Sequence, residues 1–265
     1  EGHTRDIAEA LDVRGLLNVQ FAVKNGDIFV LEVNPRASRT VPFVSKATAR
    51  PLAKVGALCM AGQSLAQQGV SGQVVPEFFS VKEAVFPFIK FPGVDPVLGP
   101  EMKSTGEVMG IGATFGEAYH KAQSAAGTLI PSGGCALISV RTLDQAAVIE
   151  IAQYLTDNGF VLVATEGTAR ALTEAGMSVQ LVNKVSEGRP HVVDSIKNGE
   201  FNLIVNTTAS RYSRRDSETI RSQALIHKVT YFTTLAAARA ACEAHRCGGD
   251  MTVNRLQSLH EELPI

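Results

Sequence analysis

The sequence predicts an α/β protein in two parts, an α+β segment followed by an α/β domain built on a parallel sheet. Three observations carry this. Residues 17–34, LNVQFAVKNGDIFVLEVN, alternate apolar and polar side chains around Asn25 and Gly26, a strong short-range hairpin signal. From Gly134 onward, short and nearly all-apolar runs alternate with helical patterns, as in a parallel sheet covered on both faces. Between these regions lie irregular proline-rich stretches such as VFPFIKFPGVDPVLGP, and AAGTLIPSGG (125–134) reads as the linker. The expected division is therefore 1–126 and 127–265.

Composition narrows the function. Of 265 residues, 45% are hydrophobic and 19% charged, enough to bury one large or two ordinary cores. Lysine plus arginine (25) nearly balances aspartate plus glutamate (26), so no overall field attracts nucleic acid or an anionic membrane. The expected partners are small molecules or proteins. No apolar run reaches the roughly 18 residues of a bilayer span, and the charged opening EGHTRDIAEALDV is unlike a signal peptide, so a cytoplasmic location is expected. Four cysteines, Cys59, Cys135, Cys242 and Cys247, are too few and irregular for a disulfide framework. Cys242, His245 and Cys247 close an alanine-rich helical pattern and are read as structural rather than as a metal site.

The hairpin's polarity sets its register. Val19, Phe21 and Val23 share one face, as do Phe29, Leu31 and Val33 on the second strand. A strict two-residue loop would oppose Val19 to Glu32, so a three-residue loop or a bulge is expected, either of which sets Gln20 opposite Glu32. Opposed Cβ atoms lie about 5 Å apart, and Asn34 follows one pleat beyond Glu32 on the same face. Three oxygen-bearing side chains converging in this way suit a hard cation such as Mg²⁺, and Arg36 adds a fixed charge for a phosphate. The same spacing also describes an exposed polar sheet face.

In the second part, CALISV (135–140) reads as the first strand and 143–157 as a helix ending at Asn158 and Gly159. GFVLVAT, SVQLVNKV, FNLIVNTT and KVTYFTT follow as strands. TARALTEAG, a helix over 217–226 and a terminal helix are interleaved with them. Ligands of such sheets bind at the carboxyl ends of the strands. Thr165 ends GFVLVAT and leads through Glu166 and Gly167 to Thr168 at a helix start, where backbone amides favour an anion. Lys184, Asn206, Thr207 and Thr208 end further strands and are placed to converge there. Helix capping by Thr165 and Thr168 is the competing reading. The spacing GxGxxxG in VMGIGATFG is one residue longer than a dinucleotide fingerprint and is read as a loop before a helix beginning near Phe115.

NVQFAVK followed by LEVNPRASRTVPFVSKATARPLAKVGA resembles the metal-binding end of the second ATP-grasp domain of the carbamoyl-phosphate synthetase large-subunit family. The resemblance continues through SVKEAVFPFIKFPGVDPVLGPEMKSTGEVMG to the C-terminus, where the chain is similar to the methylglyoxal-synthase-like regulatory domain of the same family. It implies a partial ATP-grasp domain over 1–126 and the allosteric domain over 127–265. By that resemblance Gln20 and Glu32 contact ATP; Gln20, Glu32 and Asn34 hold Mg²⁺ or Mn²⁺; and Arg36 and Arg39 support the phosphates of a carbamate-phosphorylating site. Thr165, Thr168, Lys184, Asn206 and Thr208 bind the effectors UMP or IMP, and Glu83, Tyr231 and Thr233 contact ornithine. It also implies a small glutaminase subunit as partner, an oligomeric assembly, and service to arginine and pyrimidine synthesis. The nucleotide-grasping elements of the family would lie upstream of residue 1, so catalysis by this stretch alone is not expected. One departure is Gln145, where the family pattern has a lysine.

Two function classes remain: a ligase segment with a regulatory domain, or a nucleotide- and ornithine-sensing module without chemistry of its own. A lyase of the methylglyoxal-synthase type is rejected. His191, in EGRPHVV, has no aspartate in a glycine-rich loop to act with, and general acid/base chemistry needs a positioned partner.

Overall fold

A computed structural model describes residues 1–88, 104, 106–208, 211–249, 251–261 and 263, and of 211–216 the backbone alone. Most of the stretch VFPFIKFPGVDPVLGP lies outside the described residues. The chain forms two compact units, one comprising residues 1–77 and 252–265, the other 78–251.

The first unit begins with helix α1 (Gly2–Ala10), then strands β1 (Asn18–Lys24) and β2 (Asp27–Asn34), and helices α2 (Thr40–Thr48) and α3 (Leu52–Met60). The antiparallel β1–β2 pair turns tightly at Asn25 and Gly26, which take φ of 54° and 90°, the left-handed conformations that such a two-residue turn requires. A bulge beyond Gln20 restores the register, so that Gln20 faces Glu32 while Phe21 faces Val30. Of the two expected ways of pairing apolar with apolar, the bulge is the one used, with Leu31 as the extra residue; it changes the expected face, because Val30 and Ile28, not Leu31 and Phe29, stand opposite Phe21 and Val23, and Phe29 faces Ala22. Both faces of this hairpin leave apolar side chains in solvent, Leu31 at 65% exposure.

The second unit opens with β3 (Phe79–Val85), β4 (Gly106–Gly112) and α4 (Phe115–Ala126). The glycine-containing stretch expected as a loop is a strand: β4 pairs antiparallel with β3 from Gly106 opposite Val85 to Gly112 opposite Phe79. Glycine in a strand marks a close backbone approach. A Cβ on Gly110 would lie 1.9 Å from the Ala118 carbonyl oxygen, and one on Gly112 would lie 2.7 Å from the Ala118 nitrogen. The glycines therefore let α4 lie directly on the strand.

The parallel sheet follows: β5 (Gly134–Ser139), α5 (Gln145–Asp157), β6 (Phe160–Ala164), α6 (Glu166–Glu174), β7 (Val179–Leu181), α7 (Val192–Lys197), β8 (Leu203–Asn206), α8 (Arg211–Ile226), β9 (Thr230–Phe232) and α9 (Leu235–Arg246). Its order is β7-β6-β5-β8-β9, with every pair parallel. The strand periodicity of two divides the core into two layers. Ala136, Ile138, Leu162, Leu203 and Val205 pack with Val148, Leu155 and Ala241 on the α5 and α9 side. Leu137, Val163 and Ile204 pack with Val192, Ile196, Ile220 and Ala224 on the α7 and α8 side. His191, directly after Pro190, is the N-cap of the short helix α7. The chain proceeds from β5 to β6 and β7 on one side of the sheet, then to β8 and β9 on the other. The switch point of the topology thus falls between β5 and β8. After residue 251 the chain rejoins the first unit in α10 (Leu256–Glu261), where the His260 ring nitrogen Nε2 bonds the Lys46 carbonyl at 2.7 Å.

Candidate functional site

A cavity of about 310 Å³ opens at the carboxyl ends of the parallel strands, beside the switch point. Four strand ends supply its lining: Ser139 to Thr142 and Gln145 at and after the end of β5, Thr165, Gly167 and Thr168 after β6, Lys184 and Val185 after β7, and Asn206 and Thr207 at the end of β8. Ser217 and Ile220 of α8 close it. The structure brings together four of the five expected nucleotide contacts, Thr165, Thr168, Lys184 and Asn206. Thr208 is half-buried and follows directly, outside the described lining.

The hydroxyls are committed to the scaffold. Thr165 precedes the first turn of α6, but its side chain caps no amide of that helix; its Oγ1 lies 3.0 Å from Ser139 Oγ. Thr168 Oγ1 accepts from the Val140 amide at 3.1 Å and donates to the Val140 carbonyl at 3.3 Å. Both threonines tie α6 to the end of β5 and leave the opening amides of α6 without a side-chain cap, which retains the partial positive charge of the helix start.

Asn206 is almost wholly buried, at 4% exposure. Its Nδ2 donates to the Ser139 carbonyl at 3.2 Å, which fixes the orientation of the amide, because only the nitrogen can donate there. Its Oδ1 has no partner among the described residues. A buried acceptor left without a donor costs about 1–3 kcal/mol, so the cavity offers a ligand with a hydroxyl or N–H group a bond that is otherwise missing.

Among the described residues two cations line the cavity, each beside a carboxylate. Lys184 Nζ lies 3.3 Å from Glu187 Oε1, while Glu187 Oε2 accepts from the Lys184 backbone amide at 2.8 Å. That backbone bond chiefly holds the Glu187 carboxyl below the usual range. Arg141 Nε donates to Asp144 Oδ2 at 2.7 Å, and the same oxygen accepts from Thr207 Oγ1 at 2.7 Å. Thr207 Oγ1 in turn accepts from the Arg141 amide at 3.1 Å. The hydrogen bond from Arg141 holds the Asp144 carboxyl below its ordinary value. Sequence reasoning did not anticipate Arg141, Ser139 or Ser217. The first two follow the apolar run of β5 as Thr165 follows that of β6, and that position was the signal available.

A second constellation surrounds Glu83, on β3 opposite Val108. Thr128 Oγ1 donates to Glu83 Oε1 at 3.0 Å, while Oε2 is buried and has no partner among the described residues. Burial raises the Glu83 carboxyl above its ordinary pKa, against the opposing effect of the Thr128 bond. Thr230 Oγ1 donates to the Leu129 carbonyl at 3.0 Å, which draws the start of β9, and with it Tyr231, toward the segment that carries Thr128. Tyr231 packs partly buried on the α7 and α8 layer, and Thr233 is exposed.

The third constellation is on the hairpin. Gln20 and Glu32 face each other as the polarity argument required, and Asn34 lies beyond, its Nδ2 donating to Glu32 Oε1 and its Oδ1 3.5 Å from an Arg36 terminal nitrogen. Arg39 begins α2. The set contains one carboxylate and two amide oxygens, hard donors that fit a magnesium-like ion; Gln20 and Glu32 are exposed and Asn34 is half-buried. Among the described residues no group of three or more His, Cys, Asp or Glu is placed to hold a metal, and no helix is long and apolar enough to cross a membrane.

The folds and their sites define the class: an ATP-grasp segment together with a methylglyoxal-synthase-like α/β domain. Family comparison agrees, since residues 2–68 match the carbamoyl-phosphate synthase L chain, ATP binding domain, and residues 147–233 match the MGS-like domain. Among curated proteins, the chain is 58% identical over 256 residues to the carbamoyl phosphate synthase large chain of Pseudomonas aeruginosa, covering 97% of this chain. It is 56% identical over 262 residues to that of Xanthomonas campestris pv. campestris, and 56% over 254 residues to that of Vibrio cholerae. The chain belongs to the carbamoyl phosphate synthase large chain family. It spans about 24% of the length of these relatives.

Proposed function

We propose that this chain is the C-terminal part of a glutamine-dependent carbamoyl-phosphate synthetase, an ATP-dependent ligase of the cytoplasm that phosphorylates carbamate and serves arginine and pyrimidine synthesis. The hairpin supplies the nucleotide end of the chemistry. Gln20 and Glu32 contact ATP, and with Asn34 they would hold Mg²⁺ or Mn²⁺, which when bound neutralises phosphate charge. Arg36 and Arg39 steady the transferring phosphoryl group by charge. A small glutaminase subunit delivers ammonia, and the subunits assemble as an oligomer.

The second unit is the regulatory part. Its cavity binds a nucleoside monophosphate, UMP or IMP, through Thr165, Thr168, Lys184, Asn206 and Thr208, and Glu83, Tyr231 and Thr233 receive ornithine. The buried, partnerless Glu83 Oε2 suits an ammonium group. The observation that carries the regulatory reading is the cavity at four strand ends, with an uncapped helix start and the orphaned Asn206 Oδ1. Coupling between effector and ATP sites of this kind is typically about 1–3 kcal/mol.

Calorimetric titration of the chain with UMP and IMP tests this reading. Saturable binding that Lys184→Ala weakens supports it, whereas no heat with either nucleotide refutes it. A second reading, a sensing module without chemistry, is favoured for the polypeptide as it stands by one contrast: the cavity is lined by a single unit, whereas Gln20 and Glu32 of the hairpin stand in solvent. ATP hydrolysis measured on the chain separates the two.

A further inference from the structure

We propose that Arg141 is a direct phosphate ligand of the strand-end cavity, aimed into it by Asp144 and Thr207, and that it makes the site selective for a phosphate monoester over the parent nucleoside. The inference rests on the reading of this cavity as a nucleotide site.

Among the described side chains lining the cavity, the cationic ones are Arg141 and Lys184. They differ in how they are held. Lys184 projects a flexible ammonium, 47% exposed, beside Glu187. Arg141 is held at one atom, Nε, by an Asp144 carboxylate that is itself only 15% exposed. Asp144 cannot swing away easily, because the same oxygen accepts from Thr207 Oγ1, and Thr207 accepts from the Arg141 backbone. The triangle joins the end of β5 to the end of β8, the two strands that flank the switch point. A guanidinium carries five donors in a rigid fork. Nε occupies the Asp144 edge, and the structure shows no partner among the described residues for the two terminal nitrogens. That free edge matches two oxygens of one phosphate.

The neighbouring groups agree with this role. Gln145 lines the same wall but is neutral, and its Nε2 lies 3.2 Å from where a Cβ on Gly167 would be, over the first turn of α6. It offers a hydrogen bond beside the helix start, and the charge must come from elsewhere. Asp144 and Glu187 are absent from the lining, so each carboxylate anchors its cation from behind without facing the ligand. Asp144 is then a positioning residue, and a bound phosphate leaves its bond to Nε intact.

The test is calorimetric titration of the chain with UMP, with uridine measured by competition against UMP. For Arg141→Gln, the loss of a charge-assisted fork predicts UMP affinity about tenfold to a hundredfold weaker, with uridine affinity at the wild-type value. Arg141→Lys keeps the charge but not the fork and is expected to fall between, which covers the case in which the glutamine variant folds poorly. Asp144→Asn weakens UMP less than Arg141→Gln does. If Lys184→Ala weakens UMP while both Arg141 variants bind it as wild type does, the role of Arg141 is refuted and the nucleotide site stands. If UMP and uridine weaken equally in the Arg141 variants, Arg141 serves the scaffold alone and the proposal fails. If the wild-type chain binds no UMP, the reading of the cavity fails and this inference falls with it.

Discussion

The contact of α4 with β4 gives a sharp prediction about Gly110. Replacing it by alanine would place a Cβ 1.9 Å from the Ala118 carbonyl oxygen and 2.6 Å from the Ala122 nitrogen, both backbone atoms of α4. Ordinary contact begins near 3.4 Å, so the helix must retreat by about 1.5 Å. It cannot retreat alone, because Ala118 and Ala122 are both fully buried. Overpacking a well-filled core costs about 1–3 kcal/mol when side chains can yield, and occasionally more. Here the obstacle is backbone, so Gly110→Ala is expected to cost about 3 kcal/mol or more. Set against a typical domain stability of about 5–15 kcal/mol, that loss is readily measured. Urea denaturation followed by circular dichroism reads it as a fall in the midpoint, with Gly249→Ala, where a Cβ meets nothing within 4 Å, as the neutral control. A loss for Gly110→Ala below about 1 kcal/mol would refute the close-approach explanation of this glycine.

Three further outcomes are expected. The His245 imidazole shares a hydrogen bond of 2.7 Å with the Tyr154 hydroxyl, and burial, then the nearby His120, pushes its pKa below the ordinary value despite the Pro131 carbonyl. The unfolded chain therefore takes up this proton first, so stability is full above about pH 6.5 and falls as the pH drops toward the lower folded value; His245→Gln should flatten the decline in urea midpoint between pH 7.5 and 5.5. Gln145→Lys adds a cation to the wall of the strand-end cavity and should tighten UMP several-fold in calorimetry, as a charge-assisted bond replaces a neutral one. Glu83→Gln removes the charge expected to receive ornithine and should abolish its binding while raising thermal stability slightly or leaving it unchanged, because the buried carboxylate has one oxygen without a partner; a wild-type ornithine titration in this variant overturns the assignment.

Local patterns made much of this protein legible. Alternation over 17–34 was enough to demand a register that opposed Gln20 to Glu32, because a slip of one residue would turn every apolar side chain to the other face. Apolar runs ending in Thr165, Lys184 and Asn206 announced parallel strands whose carboxyl ends share a site, because parallel neighbours end on the same edge of the sheet. The glycines of β4 misled for a physical reason: they carry no side-chain period, and the helix that requires them is recognised only once it lies on them. Likewise nothing in the spacing of Arg141, Asp144 and Thr207 joins them, since Thr207 arrives from a strand 63 residues beyond Asp144. What the sequence determined by itself was the period, polarity and chemical endowment of each strand end, which depend on near neighbours along the chain. What only the tertiary structure decided was which of those groups meet, which are left without partners, and how the cations are aimed, because these follow from the order in which the strands assemble across the switch point.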